Sequence, residues 1–186
     1  MRIVGGELKG RRLAVPKTDT IRPTTDRNRE TLFNILTHRP GFQLDGARVL
    51  DLFSGTGALG IEALSRGARF CLFVEEGVEG RGLIRENIEA FGLQGRSKIF
   101  RRDATSLGIV GTMEPFDCVV ADPPYGRGLG TAALVSARDG GWLKPGALVL
   151  VEEALAAPFE VPGGFEQTDE RAMGETVLRF LVAPGR

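Results

Sequence analysis

The densest chemistry in the sequence is the tetrapeptide Asp122-Pro123-Pro124-Tyr125. Two adjacent prolines remove two backbone donors and hold φ near about −65°, so the carbonyls and the aspartate before them are aimed with little freedom. This makes a rigid set of oxygen acceptors followed at once by an aromatic ring. It suits an amino nitrogen whose lone pair is delocalised into a ring. The Asp122 carboxylate and the Pro123 carbonyl can hold its two hydrogens and stabilise the positive charge that grows on nitrogen as it attacks a sulfonium-bound methyl. Tyr125, the only tyrosine in the chain, can stack on a base rotated out of a nucleic acid. Taken alone, the same four residues also read as a proline turn after a strand.

A second constellation lies upstream, where DLFSGTGALG places Gly55, Gly57 and Gly60 as G-x-G-x-x-G between an apolar run and an amphipathic one. Glycine is needed where the backbone turns sharply and must approach a ligand closely. Glu75 ends the next apolar run, 20 residues after Gly55, where an acid can accept hydrogen bonds from ribose hydroxyls. Both signals announce an adenosine-containing ligand and fit a dinucleotide as well. Asp51 opens the loop as D-x-F-x-G-x-G and can meet a ligand ammonium directly or through water; a pyrophosphate would gain nothing from it. This favours S-adenosylmethionine. Asp103, with Ala104 beside it, follows the third apolar run and can accept from an adenine amino group or cap a turn. The order of these features along the chain removes most of the ambiguity that each has alone.

The elements needed to bring them together are legible. ARVLDLF, RFCLFVE, SKIFRRD, FDCVVAD and ALVLVEE read as strands; helices are expected near 57–66, 79–91 and 128–139, with a looser one after SKIFRRD. Continuous apolar strands joined by helices indicate a parallel sheet covered on both faces. The tail, GFEQTDERAMGETVLRFLVA, holds two strands around Met173-Gly174 with no helix between them, and so forms an antiparallel hairpin. The expected fold is α/β and Rossmann-like. Ahead of it, RPTTDRNRETLFNILTH is a helix capped by Thr24 or Thr25, with Leu32, Phe33, Ile35 and Leu36 as its apolar face, ending by Arg39. His38 near its end is a capping residue rather than a catalytic one.

The 186 residues suffice for one α/β domain. No run approaches the roughly 20 apolar residues of a membrane span, and the N-terminus lacks a secretory h-region, so a cytoplasmic protein is expected. Cys71 and Cys118 sit in apolar runs as reduced thiols, and no metal is expected. The formal net charge is zero, yet residues 1–29 carry eight Lys/Arg against three Asp/Glu, or +5, leaving −5 for the remainder. The division is therefore a basic arm or hairpin over 1–22 and a catalytic domain over 23–186. A basic arm on an acidic body suits a polyanion, with Arg2, Lys9, Arg11 and Arg12 on its phosphates.

Over nearly its whole length the chain resembles the RsmD-type 16S rRNA guanine-N2 methyltransferases. The similar segments are MRIVGGELKGRRLAVP, RPTTDRNRETLFNIL, DLFSGTGALGIEALSRGA, FVE and DPPY. The resemblance implies a class I methyltransferase with a seven-stranded sheet, methylation of a guanine N2, and small-subunit rRNA in a 30S particle or its assembly intermediate as substrate, with the enzyme a monomer. It further implies cofactor contacts from Arg22, Pro23 and Thr24, from Asp51, Phe53, Gly55 and Gly57, from Glu75, and from Asp103, with Asp122 to Tyr125 as the amine site. After the second strand the chain reads VEEGVEGRG where that family has an Asp or Asp-Arg beyond the Glu, which leaves Glu75 and Glu76 both open for the ribose. Three alternatives keep part of this chemistry: an amino-methyltransferase for adenine N6 or a protein amide, an NAD-dependent oxidoreductase, and an RNA-binding assembly factor without turnover.

Overall fold

A computed structural model of the chain describes residues 1–17 and 25–185. The expected runs form strands β1 (Arg48–Leu52), β2 (Phe70–Val74), β3 (Ser97–Phe100), β4 (Phe116–Ala121) and β5 (Leu143–Ala154), and the tail forms β6 (Glu166–Met173) and β7 (Thr176–Val182). Helices α1 (Asp26–Thr37), α2 (Ala58–Ser65), α3 (Val78–Phe91) and α4 (Leu129–Asp139) connect or precede them. The seven strands make one sheet in the order β3-β2-β1-β4-β5-β7-β6. Strands β1 to β5 pair in parallel, and β7 runs antiparallel between β5 and β6. The order reverses direction between β1 and β4, which opens a crevice beyond the carboxyl ends of the strands.

Register sets the site. Leu52 pairs with Val74 on one side and Ala121 on the other, and Ala121 pairs with Val151. Phe53, Glu75, Asp122 and Glu152 are therefore the next residues on four neighbouring strands, all at one sheet edge. Side chains alternate between faces along each strand. Val49, Cys71, Phe73, Cys118, Val120 and Leu150 pack with α1, α2 and α3, whereas Leu50, Leu72, Val119 and Val149 pack with α4 and Trp142.

Thr25 caps α1, its Oγ1 accepting from the Asn28 N–H at 3.1 Å, and His38 closes the other end with Nδ1 2.7 Å from the Asn34 carbonyl oxygen. The looser helix expected after β3 does not form. Residues 101–115 are a loop, because tertiary partners take its polar groups: the Leu107 N–H donates to Ser136 Oγ at 2.7 Å, Val110 N–H to the Gly140 carbonyl at 2.9 Å, and the Trp142 indole to the Gly108 carbonyl at 2.8 Å.

The N-terminal residues are packed down. A bridge joins Arg2 to Arg12, and Ile3 and Leu13 belong to the core. Gly6 has φ +78°, and a Cβ there would lie 2.0 Å from the Ser65 carbonyl oxygen, which is how the segment lies flat against the end of α2. Beneath it Glu62, fully buried, accepts from Arg29 Nε at 3.2 Å, Arg66 Nε at 2.9 Å and the Val4 N–H at 3.0 Å. Arg29, one of the basic residues of the N-terminal stretch, is itself fully buried and also pairs with Asp26 at 2.9 Å. Among the described residues, no helix is long and apolar enough to cross a membrane.

Candidate active site

The crevice holds a cavity of about 420 Å³ at the carboxyl ends of the strands. Phe53 and Gly55 reach it from β1, Val74, Glu75 and Glu76 from β2, Arg102, Asp103 and Ala104 after β3, Asp122 to Tyr125 after β4, Glu152 from β5 and Thr176 from the start of β7. Thr25 and Asn28, from the first turn of α1, complete the rim.

Phe53 is the one non-glycine with positive φ, at +57°, among the described residues. Held strain of this kind clusters at ligand sites. The Glu75 carboxylate ties the glycine loop to the next connection, accepting from the Gly55 N–H at 2.8 Å and the Gly77 N–H at 2.9 Å. Gly55 lines the cavity; Gly57 and Gly60 do not. Gly57 has φ +80° at the N-cap of α2, and Gly60 lets α2 lie on the sheet, since a Cβ there would meet Phe73 at 2.4 Å and Cys71 Sγ at 2.6 Å.

Asp51 lies under α2, 1 % exposed, with Oδ2 accepting from the Gly60 N–H at 3.0 Å, and is not on the cavity wall. Burial drives its pKa well above the ordinary carboxylate value; the Gly60 N–H opposes this, and the charges of Asp122 and Glu75 add to it. Burial likewise raises the thiols of Cys71, beside Asp51, and of Cys118, so both stay protonated. Asp103 caps its turn, Oδ1 accepting from the Thr105 N–H and hydroxyl, each at 2.8 Å, and it also lines the cavity.

Two carboxylates at the end of β5 pin the tetrapeptide. Glu153 accepts from the Gly126 N–H at 3.0 Å, and Glu152 accepts from the Tyr125 hydroxyl at 2.9 Å. Pro123 is buried, Asp122 and Tyr125 are half-buried, and Pro124 is exposed. On the N-terminal hairpin Arg2, Lys9, Arg11 and Arg12 are all exposed. Arg2 Nη1 donates to the Gly10 carbonyl at 2.8 Å, and the Arg11 guanidinium lies 5.0 Å from the Phe91 ring centre. Arg22, Pro23 and Thr24 lie outside the described residues. No group of three or more His, Cys, Asp or Glu that could hold a metal occurs among the described residues.

Residues 1–182 match the family model described as conserved hypothetical protein 95. Ribosomal RNA small subunit methyltransferase D of Escherichia coli strain K12 is 36 % identical over 182 residues, which are 97 % of this chain and 88 % of that protein. The chain belongs to the methyltransferase D family. The solved structure of yhhF from Escherichia coli, at 33 % identity, superposes with a TM-score of 0.83 over 100 % of this chain and 99 % of the other. An RNA methyltransferase from Salinibacter ruber, solved with S-adenosyl-L-homocysteine, shares the fold at 16 % identity, with a TM-score of 0.67 over 89 % and 95 % of the two chains. The fold is thus the class I Rossmann-like methyltransferase fold.

Within this methyltransferase D chain, six cavity residues were not among the expected site residues: Thr25, Asn28, Val74, Arg102, Glu152 and Thr176. Glu152 had a signal, since VLVEE ends an apolar strand on an acid just as FVE does at Glu75. Thr25 and Asn28 come with the helix read over RPTTDRNRETLFNILTH and Val74 with the second strand, but that these residues, Arg102 in the 101–115 loop and Thr176 at the start of β7 all reach one cavity is tertiary information that local spacing does not carry.

Proposed function

We propose that this chain transfers a methyl group from S-adenosylmethionine to the exocyclic N2 amine of a guanine in 16S rRNA, leaving S-adenosylhomocysteine. The observation that carries the reading is register: Asp122 to Tyr125 open onto the same cavity as Gly55 and Glu75. The donor fits the lining. Among the described lining residues there are five carboxylates (Glu75, Glu76, Asp103, Asp122, Glu152) against one guanidinium, Arg102. That balance favours a cationic guest and disfavours the pyrophosphate of NAD.

When bound, the cofactor supplies an electrophilic methyl on a positively charged sulfur. Glu75 is placed for ribose hydroxyls and Asp103 with Ala104 for the adenine. Asp51, Phe53, Gly55 and Gly57 shape the loop, and Arg22, Pro23 and Thr24 belong to the same reading. Asp122 and the Pro123 carbonyl orient the amine hydrogens, Pro124 stiffens the turn and Tyr125 stacks on the base. Orientation of this kind can supply roughly 7–11 kcal/mol without a metal. Arg2, Lys9, Arg11 and Arg12 hold rRNA phosphates. The substrate is the 30S subunit or its assembly intermediate, met in the cytoplasm by a monomeric enzyme. The relatives' names support the rRNA assignment.

The test is Asp122→Ala. Methylation should fall by at least about 100-fold, as when a positioned charge-stabilising group is removed, while RNA binding is kept. Calorimetry with S-adenosylhomocysteine and with NAD, and the identity of the methylated nucleoside, complete it. Tight binding of NAD alone, or a product other than N2-methylguanine, overturns the assignment.

A further inference from the structure

We infer that Glu152 reads the target base, its carboxylate accepting the ring N1–H of guanine while Asp122 and Pro123 hold the N2 amine; this rests on the function proposed above. Three observations place it there. Ala121 pairs with Val151, so Asp122 and Glu152 are neighbours on adjacent parallel strands, about 5 Å apart along the hydrogen-bonding direction. Both line the cavity. Glu152 is 4 % exposed on a strand flanked by β4 and β7, so its backbone cannot drift. A carboxylate this buried is tolerated only with hydrogen-bond or ionic partners, which also hold it in one place. Its neighbour Glu153 has a structural use, holding Gly126. Glu152 faces the substrate side and takes the Tyr125 hydroxyl, which fixes the orientation of its carboxylate at the cavity wall.

The chemistry selects one base. Guanine carries N1–H and the N2 amine on the same ring carbon, so its donors point out along one edge and meet two acceptors set side by side. Adenine places a bare acceptor nitrogen next to its N6 amine, cytosine does the same beside N4, and a glutamine amide has its own oxygen there. Each would set a lone pair against the Glu152 carboxylate. A site that leaves a buried polar group unmatched rejects the wrong ligand strongly. Asp122 and Pro123 accept any amine; Glu152 accepts only a base with a hydrogen at the adjacent ring nitrogen.

The experiment uses small-subunit particles reconstituted with guanine or 2-aminopurine at the mapped target position. 2-Aminopurine keeps the amine at C2 but has a bare ring N1. Glu152→Gln keeps an acceptor for Tyr125 and turns the other carboxylate position into a donor. The variant should lose about 10- to 100-fold in kcat/KM on guanine, the worth of one hydrogen bond to a buried charge, and should narrow or invert the guanine to 2-aminopurine ratio. Its affinity for S-adenosylhomocysteine should be unchanged. Equal losses on both bases, matching those of Tyr125→Phe, would mean that Glu152 only braces Tyr125, and the inference fails. A measurement on the wild type does not depend on the variant folding: a target carrying N1-methylguanosine should not be methylated, and methylation at the guanine rate overturns the inference. Failure of the functional reading is separately visible, because the wild type would then yield a product other than N2-methylguanine.

Discussion

Removing Glu62 should unfasten the N-terminal segment and α1 together. The Glu62→Ala variant takes one partner from the fully buried Arg29, which keeps Asp26 at 2.9 Å and the Arg2 carbonyl, strands Arg66 at 12 % side-chain exposure and orphans the Val4 N–H. Breaking a buried ion pair from one side costs about 3–5 kcal/mol. Asp26, 43 % exposed, still answers Arg29 and holds the loss to the lower half, about 3–4 kcal/mol. For a chain of this length that is a fall in Tm of roughly 6–16 °C. Urea unfolding followed by fluorescence reads it directly, since Trp142 is the only tryptophan and is 1 % exposed. Amide exchange at Val4, Leu13 and Ala14 should speed up ahead of global unfolding, and affinity for S-adenosylhomocysteine should drop, because Thr25 and Asn28 on α1 line the cavity. The double replacement Arg29→Met with Glu62→Leu should recover only the share of the loss due to Arg29, because Arg66 and the Val4 N–H still lack their acceptor. A loss below about 1 kcal/mol for Glu62→Ala refutes the reasoning, because a pair this buried cannot be broken so cheaply unless solvent already reaches it.

Three further outcomes are expected. Asp51 has its folded pKa raised above 3.8, so the folded protein binds more protons than the unfolded chain from pH 3.8 upward to that raised value. Stability therefore falls as pH rises through this window, and Asp51→Asn should flatten the slope of stability against pH; an unaltered slope refutes the assignment. Gly60→Ala drives a methyl against Phe73 and Cys71 and should cost about 1–3 kcal/mol by thermal unfolding, with no loss meaning that α2 can lift off the sheet freely. Replacing Arg11 and Arg12 by Gln should reduce the slope of log affinity for rRNA against log salt by about 0.7–0.9 for each phosphate that is no longer neutralised; a slope that does not move removes the hairpin from the RNA surface.

Features that repeat along the chain were readable from it. Apolar runs of strand length between amphipathic segments marked the sheet and its helices within a few residues, and Met173-Gly174 marked the terminal hairpin. The chemistry that sits at strand ends was readable too: Gly55, Glu75, Asp103 and Asp122 to Tyr125 all reach the cavity. The loop after β3 was not: its residues read as a looser helix, but Gly108 and Gly111 adopt φ +76° and +68°, which no helix allows, and distant groups, Ser136, Gly140 and Trp142, take its polar atoms. Nor was the burial of Asp51 under Gly60, or the conversion of Arg29 from a surface charge into half of an internal pair. Both depend on what packs above them rather than on neighbours in sequence. Glu152 stands between these cases, since an acid closing an apolar strand is a visible anomaly whose partner, Tyr125, becomes apparent only once β4 and β5 lie side by side.

The cavity is bounded by Thr25 at one extreme of the sequence and by Thr176 at the other, with β7 beginning at the latter and covering the flank of β5. During synthesis, the pocket for the methyl donor is therefore completed only when almost the whole chain has left the ribosome. A product terminated before β7 would lack part of that pocket and would bare β5 as an open apolar strand, a template for self-association.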